Sequence, residues 1–356
     1  MEYISAKEAA VSWGISQRRV AVLCSEKRIP GAERVGNMWL IPKTAAKPGD
    51  ARYSRRRGSE TAVKPFLKWA GGKGQLLKEL EQFYPFEKGR AITKYAEPFV
   101  GGGAVLFDIL NRFDLKEIYI SDTNRELIGA YLAVRDNLPE LTALLAEMQA
   151  EFTPLSPDAR KRCYYAKRKQ FNELKTDETA AADILKSALL IFLNRTCFNG
   201  LYRVNKRGLF NVPMGAYKNP LICDEKNLAG VSAKLQRVQM VCGDYRESAS
   251  FIDKHTFVYF DPPYRPITDT SSFTAYTETV FDDRAQKALA EFAVEMGRRG
   301  AKILVSNSDP RNVNGEDGFF DAIYSAFTIK RVEASRMINS DSGKRGKIRE
   351  LLISNF

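Results

Sequence analysis

The chain is poor in several residues on which enzyme centres are commonly built. It holds a single histidine, His255. A histidine general base paired with a second imidazole, or a histidine-rich metal site, therefore has nothing to build on. His255 stands just before an apolar run and reads as a structural residue at a strand's start. Five cysteines (Cys24, Cys163, Cys197, Cys223 and Cys242) form no CxxC pair, and their number is odd. That argues against a disulfide framework and against a thiolate zinc site. Long hydrophobic runs are missing too: 188–193, among the longest, is far too short to span a bilayer. Residues 1–5 lack the basic-then-apolar order of a secretory signal, so a cytoplasmic protein is expected. No internal repeat or long low-complexity tract is evident.

What is present is 356 residues with 44% hydrophobic and 28% charged content, ordinary for a globular protein of one large domain or two. The formal net charge is +12. An excess of that size suggests a polyanionic partner rather than only a solvated surface. It concentrates at the front, where residues 1–58 carry twelve Lys/Arg against five Asp/Glu. The Arg55-Arg56-Arg57 cluster suits phosphate contacts that read no sequence.

The most informative motif is Asp261-Pro262-Pro263-Tyr264, at the end of the apolar run 256–260. Two prolines stiffen the backbone and limit the directions in which the Asp261 and Pro262 carbonyls point. A carboxylate, a carbonyl and an aromatic ring then meet at one point. That trio suits a planar base with an exocyclic amine: two acceptors for the NH₂ and a ring to stack on the heterocycle. The competing reading is a tight turn after a buried strand.

Other motifs surround it. Phe99-Val100-Gly101-Gly102-Gly103 closes one strand and precedes a helix over 104–111. Such a turn lets backbone approach a ligand beside a helix N-terminus. It is not GxGxxG, which disfavours a dinucleotide pyrophosphate seat and a nicotinamide enzyme. Asp122 follows the strand 118–120 and suits either two ribose hydroxyls or the N-cap of a helix over 124–136. Upstream, the run 65–73, PFLKWAGGK, reads as a loop pressed on a small anionic group, or as a basic turn into a helix over 75–83.

From Pro65 onward strands alternate with helices. Candidate strands are 95–99, 117–120, 238–241, 256–260, 302–305 and 350–354. That rhythm predicts an α/β fold with a doubly wound, Rossmann-like sheet. Between about 136 and 236 the rhythm stops, and helices over 138–152, 158–175 and 179–193 predict a mainly helical insert ending in a turn-rich stretch.

Residues 1–43 read as a separate unit. Ser5 and Glu8 form a capping box, Gly14 ends the first helix, and a second runs from Gln17 to Ser25 with Arg18 and Arg19 on it. A hairpin over 32–35 and 37–42 follows, after Arg28 and Pro30. The segment resembles the excisionase/MerR-type winged helix-turn-helix, which implies DNA contact through Arg18 and Arg19 of the second helix. A module for protein docking is the alternative. Residues 44–64, small, polar and basic, read as a linker between it and a domain over 65–356.

The ordered motifs 68–73, 97–103, 121–124 and 261–264 together resemble the Dam-type DNA adenine-N6 methyltransferases (D12 class, alpha group), over about residues 65–356. The resemblance implies S-adenosylmethionine as methyl donor, with Trp69, Lys73, Phe99, Gly101, Gly103, Asp122 and Asp261 around it. Gly243-Asp244-Tyr245 resembles the family's adenine-side contact, through Asp244 and Tyr245. Residues 194–213 resemble its target-recognition hairpin. This implies duplex DNA as partner, GATC as target, and DNA contacts at Lys68, Phe198, Asn199, Arg203, Asn205, Arg207, Asn211, Pro213 and Tyr217. Arg203 suits bidentate bonding to guanine, Phe198 a wedge between base steps, and Lys206, Arg207 and Lys218 phosphates. A basic surface loop with one buried aromatic is the plain alternative.

The expected catalytic group is Asp261, the Pro262 carbonyl and Tyr264, holding a flipped adenine without need of a metal. A cognate restriction endonuclease is a further expected partner. Competing functions are a non-catalytic DNA-binding regulator and a methyltransferase of RNA adenine or cytosine N4.

Overall fold

A computed structural model describes residues 3–13, 16–25, 29–36, 38–45, 62–86, 91–177, 179–265, 281–335 and 347–356. Gly14, Arg28, Asn37, the Arg19 side chain and most of the expected linker, with Arg55, Arg56 and Arg57, lie outside the described residues. The chain divides into two compact units, Met1–Ala62 and Val63–Phe356.

In the first unit a strand, β1 (Tyr3–Ser5), leads into helix α1 (Ala6–Trp13). The Ser5 N–H donates to Glu8 Oε2 (2.7 Å) and the Glu8 N–H to Ser5 Oγ (3.3 Å), a reciprocal cap that satisfies two donors at the helix start. Helix α2 (Gln17–Ser25) packs on α1, burying Ala9, Ala10, Val20, Leu23 and Cys24 together. Strands β2 (Glu33–Val35) and β3 (Met38–Pro42) form an antiparallel hairpin, and β1 pairs with the other edge of β3.

The second unit is built on a seven-stranded sheet of order β6-β5-β4-β7-β8-β10-β9. The strands are β4 (Lys94–Pro98), β5 (Glu117–Asp122), β6 (Val238–Cys242), β7 (Thr256–Phe260), β8 (Lys302–Ser308), β9 (Thr328–Ser335) and β10 (Lys347–Ser354). Strands β6, β5, β4, β7 and β8 run parallel, and β10 is antiparallel to both of its neighbours. Every residue of central β7 is buried, as a strand covered on both faces requires. The sheet departs from the sequence expectation at β9. Its run TIKRVEAS intersperses charged with apolar residues, so no continuous hydrophobic stretch marks it. It is an edge strand, where charge on the outer face is normal.

Helices connect the strands: α3 (Leu77–Leu80), α4 (Ala104–Arg112), α5 (Arg125–Asp136), α6 (Leu138–Phe152), α7 (Pro157–Glu173), α8 (Ala180–Thr196), α9 (Glu225–Leu235), α10 (Asp283–Arg298) and α11 (Phe319–Ile323). The expected single helix over 75–83 is instead α3 flanked by 3-10 turns at Lys73–Gln75 and Glu81–Phe83. Helices α6 to α9 all fall between β5 and β6, with a run of loop and short bridges from 197 to 224. Helix α8 is apolar on nearly every face from Ser187 to Asn194, and it lies buried among α5, α6 and α7. Among the described residues no helix is long and apolar enough to cross a membrane.

The strand order reverses at β4, with β5 on one side and β7 on the other. In parallel α/β sheets a crevice opens beyond the carboxyl ends at such a point. The turns after β4, β5 and β7 all emerge there.

Helix α5 begins at this edge, and its N-cap is Asn124, whose Oδ1 accepts the Leu127 N–H at 2.9 Å. Replacing Asn124 by Ala should lower unfolding free energy by about 0.5–2 kcal/mol. Urea denaturation of N124A measures this; an unchanged midpoint would show that the cap does not anchor the helix.

Candidate active site

The turn after β7 presents Asp261 toward a buried lysine. Lys73 is only 4% exposed, and a buried ammonium needs compensating partners. It has three: Asp261 Oδ1 at 2.7 Å, the Gly71 carbonyl at 2.9 Å and the face of the Tyr264 ring, 4.7 Å from its centroid. Ser306 of β8 also donates to Asp261 Oδ1 (2.9 Å), and its hydroxyl meets that of Tyr259 at 2.8 Å. Among the described residues nothing donates to Asp261 Oδ2 or to the Pro262 carbonyl. Asp261 and the Tyr264 ring share Lys73, and two such acceptors with a ring can take the two hydrogens of an exocyclic amine and stack on its heterocycle.

The turn itself is held from behind. Gln286 Nε2 donates to the Pro263 carbonyl (3.0 Å), and Asn307 Nδ2 donates to Gln286 Oε1 (3.2 Å). Both amides are fully buried. The Tyr264 hydroxyl donates to Glu350 Oε2 of β10 at 2.8 Å. Sequence reasoning missed Ser306, Gln286, Asn307 and Glu350. Ser306, Asn307 and Glu350 each sit in or beside an apolar run, such as Glu350 before Leu351-Leu352-Ile353, and that placement was the available signal; Gln286, between Ala285 and Lys287, carried none.

The second group gathers on the turn after β4. Phe99 has φ 71°, a conformation that non-glycine residues adopt at a cost of about 1–3 kcal/mol, and such strain clusters at functional sites. Gly101 has φ 49°, and a Cβ there would meet Trp69 Cδ1 at 2.9 Å. The indole therefore lies directly on the turn. Asp122 Oδ2 accepts the Gly101 N–H (3.2 Å) and Oδ1 accepts the Asn124 N–H (2.9 Å). Burial pushes the Asp122 carboxyl above its ordinary range, and the N–H groups of Asn124, Gly101 and Thr123 pull it back down. The helix cap belongs to Asn124, which leaves Asp122 to tie the two turns together.

Trp69, Gly101 and Asp122 are thus in contact, and Lys73 joins their loop to Asp261. Asp244 and Tyr245 are placed differently. Asp244 is engaged in a capping box over Tyr245–Ser250: its Oδ1 accepts the Arg246 N–H (3.0 Å), and its own N–H donates to Glu247 Oε1 (3.0 Å). Tyr245 is buried behind Phe99, with ring centroids 5.4 Å apart.

A third group is tied to the Lys68–Trp69 backbone. Asn194, 2% exposed, accepts the Lys68 N–H (2.8 Å) and donates to the carbonyls of Lys68 (2.7 Å) and Gly200 (3.0 Å). Trp69 stacks on Tyr202 at 5.3 Å, and the Lys68 ammonium lies 4.2 Å over the Tyr217 ring. A short hairpin follows. The Asn205 N–H donates to Leu209 O, the Asn211 N–H to Arg203 O, and Asn205 Oδ1 accepts the Arg207 and Leu209 N–H groups. Arg203 Nε donates to Asn211 Oδ1 (2.8 Å).

Helix α7 and the turn after it hold the hairpin's return strand. Lys175 donates to the Gly208 carbonyl, Asn172 to Phe210, and Tyr164 and Arg168 to Val212. Asn172 also accepts the Phe210 N–H at 2.8 Å, as a neighbouring strand would. Phe198 is 52% exposed, Asn199 has φ 55°, and Arg203, Asn205, Arg207 and Pro213 are exposed. Arg18 is exposed on α2 of the other unit.

Comparison with known proteins shows the family. Residues 69–338 match the family described as D12 class N6 adenine-specific DNA methyltransferase. Over 296 residues the chain is 48% identical to the type II methyltransferase M.MjaIII of Methanocaldococcus jannaschii, covering 83% of this chain and 99% of that one. It is 34% identical over 290 residues to the DNA adenine methylase of Haemophilus influenzae, covering 81% and 92%. Against the Escherichia coli DNA adenine methylase it is 34% identical over 287 residues, covering 81% and 93%.

Behind Asp261 lies Glu97, the last acidic residue of β4 and 2% exposed. Burial raises its pKa to about 8 from an ordinary 4.5, the Tyr95 hydroxyl (2.8 Å) opposes that, and the charge of Asp261 adds to it. The folded protein therefore binds this proton more tightly than the unfolded chain does. Its contribution to stability is complete below pH 4.5 and is lost as pH rises toward 8. Glu97→Gln cannot ionise. Between pH 5 and 8 the melting temperature of wild type should fall relative to E97Q by at least about 2 °C. Parallel curves in differential scanning calorimetry would exclude Glu97 as the source.

Proposed function

The chain belongs to the D12 class of N6 adenine-specific DNA methyltransferases, and from that premise we propose that it methylates one flipped adenine in duplex DNA, within GATC, with S-adenosylmethionine as donor. The observation that carries this reading is that Lys73 holds both Asp261 and the Tyr264 ring, while among the described residues nothing donates to Asp261 Oδ2 or to the Pro262 carbonyl.

The adenine N6 lone pair is delocalised into the ring and is a weak nucleophile. An amine hydrogen-bonded to Asp261 and Pro262 gains electron density on nitrogen, and as the nitrogen becomes tetrahedral its lone pair leaves conjugation with the ring. Lys73 and Ser306 occupy the other carboxylate oxygen, so Asp261 cannot rotate away from the amine. The proton released on methylation leaves along the hydrogen bond to Asp261. Positioning and fixed charge supply the acceleration.

The residues on the carboxyl edge fit the donor. Asp122 keeps lone-pair capacity beyond its bonds to backbone N–H groups, for ribose hydroxyls. The turn is half-buried at Phe99 and Gly101, where Trp69 walls it, while Gly103 is buried against Tyr131 and Phe107 and shapes the turn from behind. Lys73 joins this wall to Asp261. When bound, the donor supplies an electrophilic methyl group on a sulfonium sulfur. Tyr245 supports the site through Phe99, and Asp244 through the turn it caps.

The insert, about 136–236, is read as the target-recognition subdomain. Its exposed Phe198, Asn199, Arg203, Asn205, Arg207 and Pro213 face DNA, with Asn211 steadying Arg203 and Tyr217 steadying Lys68. The first unit, outside the family match, is read as a helix-turn-helix contact to DNA through α2 with Arg18 exposed. A type II endonuclease of the same target specificity is the partner that the name of the Methanocaldococcus relative supports.

Asp261→Ala should lower single-turnover methyl transfer by at least about 10³-fold, with duplex affinity changed less than about threefold. Near-normal turnover of D261A would remove Asp261 from the chemistry. Mapping of methylated adenines in DNA treated with wild type should return GATC; another consensus would replace the target while leaving the chemistry intact.

A further inference from the structure

The Tyr264 ring is held in an unusual way for a stacking platform. The two prolines before it fix the backbone, but they do not restrain its own side-chain torsions, and χ2 of an aromatic is broad. Among the described residues no second aromatic ring packs on Tyr264. One face carries the Lys73 ammonium, 4.7 Å from the centroid. The far end of the ring is tied at a single point, where its hydroxyl donates to Glu350 Oε2 at 2.8 Å.

Glu350 comes from β10, 86 residues away in sequence. Strand β8 separates β10 from β7 in the sheet, and Glu350 lies opposite Ser308 of β8. Glu350 is 9% exposed, and a buried carboxyl is expensive unless it is partnered. Tyr264 is the one hydrogen-bond donor to its side chain among the described residues. Lys73 and Asp261 are the charged groups that act on it. Burial pushes its pKa up, Lys73 and the tyrosine hydroxyl pull it down, and Asp261 pushes it up again.

We infer that Glu350 is a positioning residue for methyl transfer: it pins the Tyr264 hydroxyl, sets the pitch of the ring, and so fixes the plane in which the flipped base presents its N6. The inference rests on the reading of Tyr264 as the platform for that base. Its chemical reason is alignment. In-line attack needs nitrogen, methyl and sulfur close to one line, and a base tilted by a swinging ring leaves that line. With Lys73 over one face, the base takes the other. Because the hydroxyl is spent on Glu350, Tyr264 contributes its ring and no proton to the substrate.

The test compares wild type, E350Q, E350A, Y264F, the E350A/Y264F pair and Y264L in single-turnover methylation of a duplex, with duplex affinity and melting temperature measured alongside. E350Q keeps an acceptor oxygen and should stay within about threefold of wild type. E350A and Y264F should each lose about tenfold or more in rate, with affinity little changed. The pair should be no slower than the worse single change, because both remove one interaction. With 2-aminopurine at the target position, loss of stacking in E350A should brighten emission from the complex.

Wild-type rate in E350A, multiplicative losses in the pair, or an E350Q as slow as E350A would overturn the positioning role. Y264L separates this from the platform itself. A slow Y264L with a normal E350A refutes the tether alone. A fully active Y264L refutes the platform, and the tether with it.

Discussion

The contact between Lys73 and Asp261 joins two segments that are far apart in the chain. Lys73 ends the loop that carries Lys68 and Trp69, and Asp261 ends the central strand β7. Their 2.7 Å ion pair sits at the carboxyl edge where the strand order reverses. A buried ammonium is tolerated only with partners, and here the partners are the functional groups themselves: a carboxylate, a carbonyl and an aromatic face. Satisfying the lysine therefore also orients Asp261 and covers one side of Tyr264. Among the described residues no donor reaches the remaining carboxylate oxygen or the Pro262 carbonyl, the two acceptors that the proposed reading assigns to the base.

The same loop reaches in two other directions. Trp69 lies against the turn after β4, which Asp122 binds through the Gly101 N–H, and it stacks on Tyr202. Asn194 grips both backbone groups of Lys68 together with the Gly200 carbonyl. The proposed donor site, base site and recognition hairpin are thus physically continuous through residues 68–73. The hairpin has its own support. Side chains of α7 and Lys175 hold alternate carbonyls at 208, 210 and 212, so its backbone is pre-formed and not left to order on DNA. Pre-formed recognition elements lose less entropy on binding.

Much of this was legible in the chain. The buried run 256–260 and the prolines after it announced a strand delivering a carboxylate and a ring to an edge. The alternation of apolar strands and helices announced the α/β sheet, and the helices expected over 138–152, 158–175 and 179–193 are found at Leu138–Phe152, Pro157–Glu173 and Ala180–Thr196. Less legible were β9, whose interspersed charges hide a sheet edge, and the broken helix around Leu77–Leu80. Asp122 was read as either a helix cap or a ligand group, and the structure gives the cap to Asn124. Asp244 carries a short turn, which no tripeptide motif reveals.

The chemistry of the site was determined locally. Which residue types stand at 261–264 and 99–103, and how proline and glycine bend the backbone there, are properties of a few adjacent positions. Partnership was decided only in three dimensions. Glu350 meets Tyr264, Ser306 and Lys73 meet Asp261, and Asn172 meets Phe210 because sheet order and helix packing bring distant segments together. A lone polar residue in an apolar run declares that it needs a partner, since burial without one is unfavourable. It does not declare which partner, because that depends on the neighbours that folding supplies.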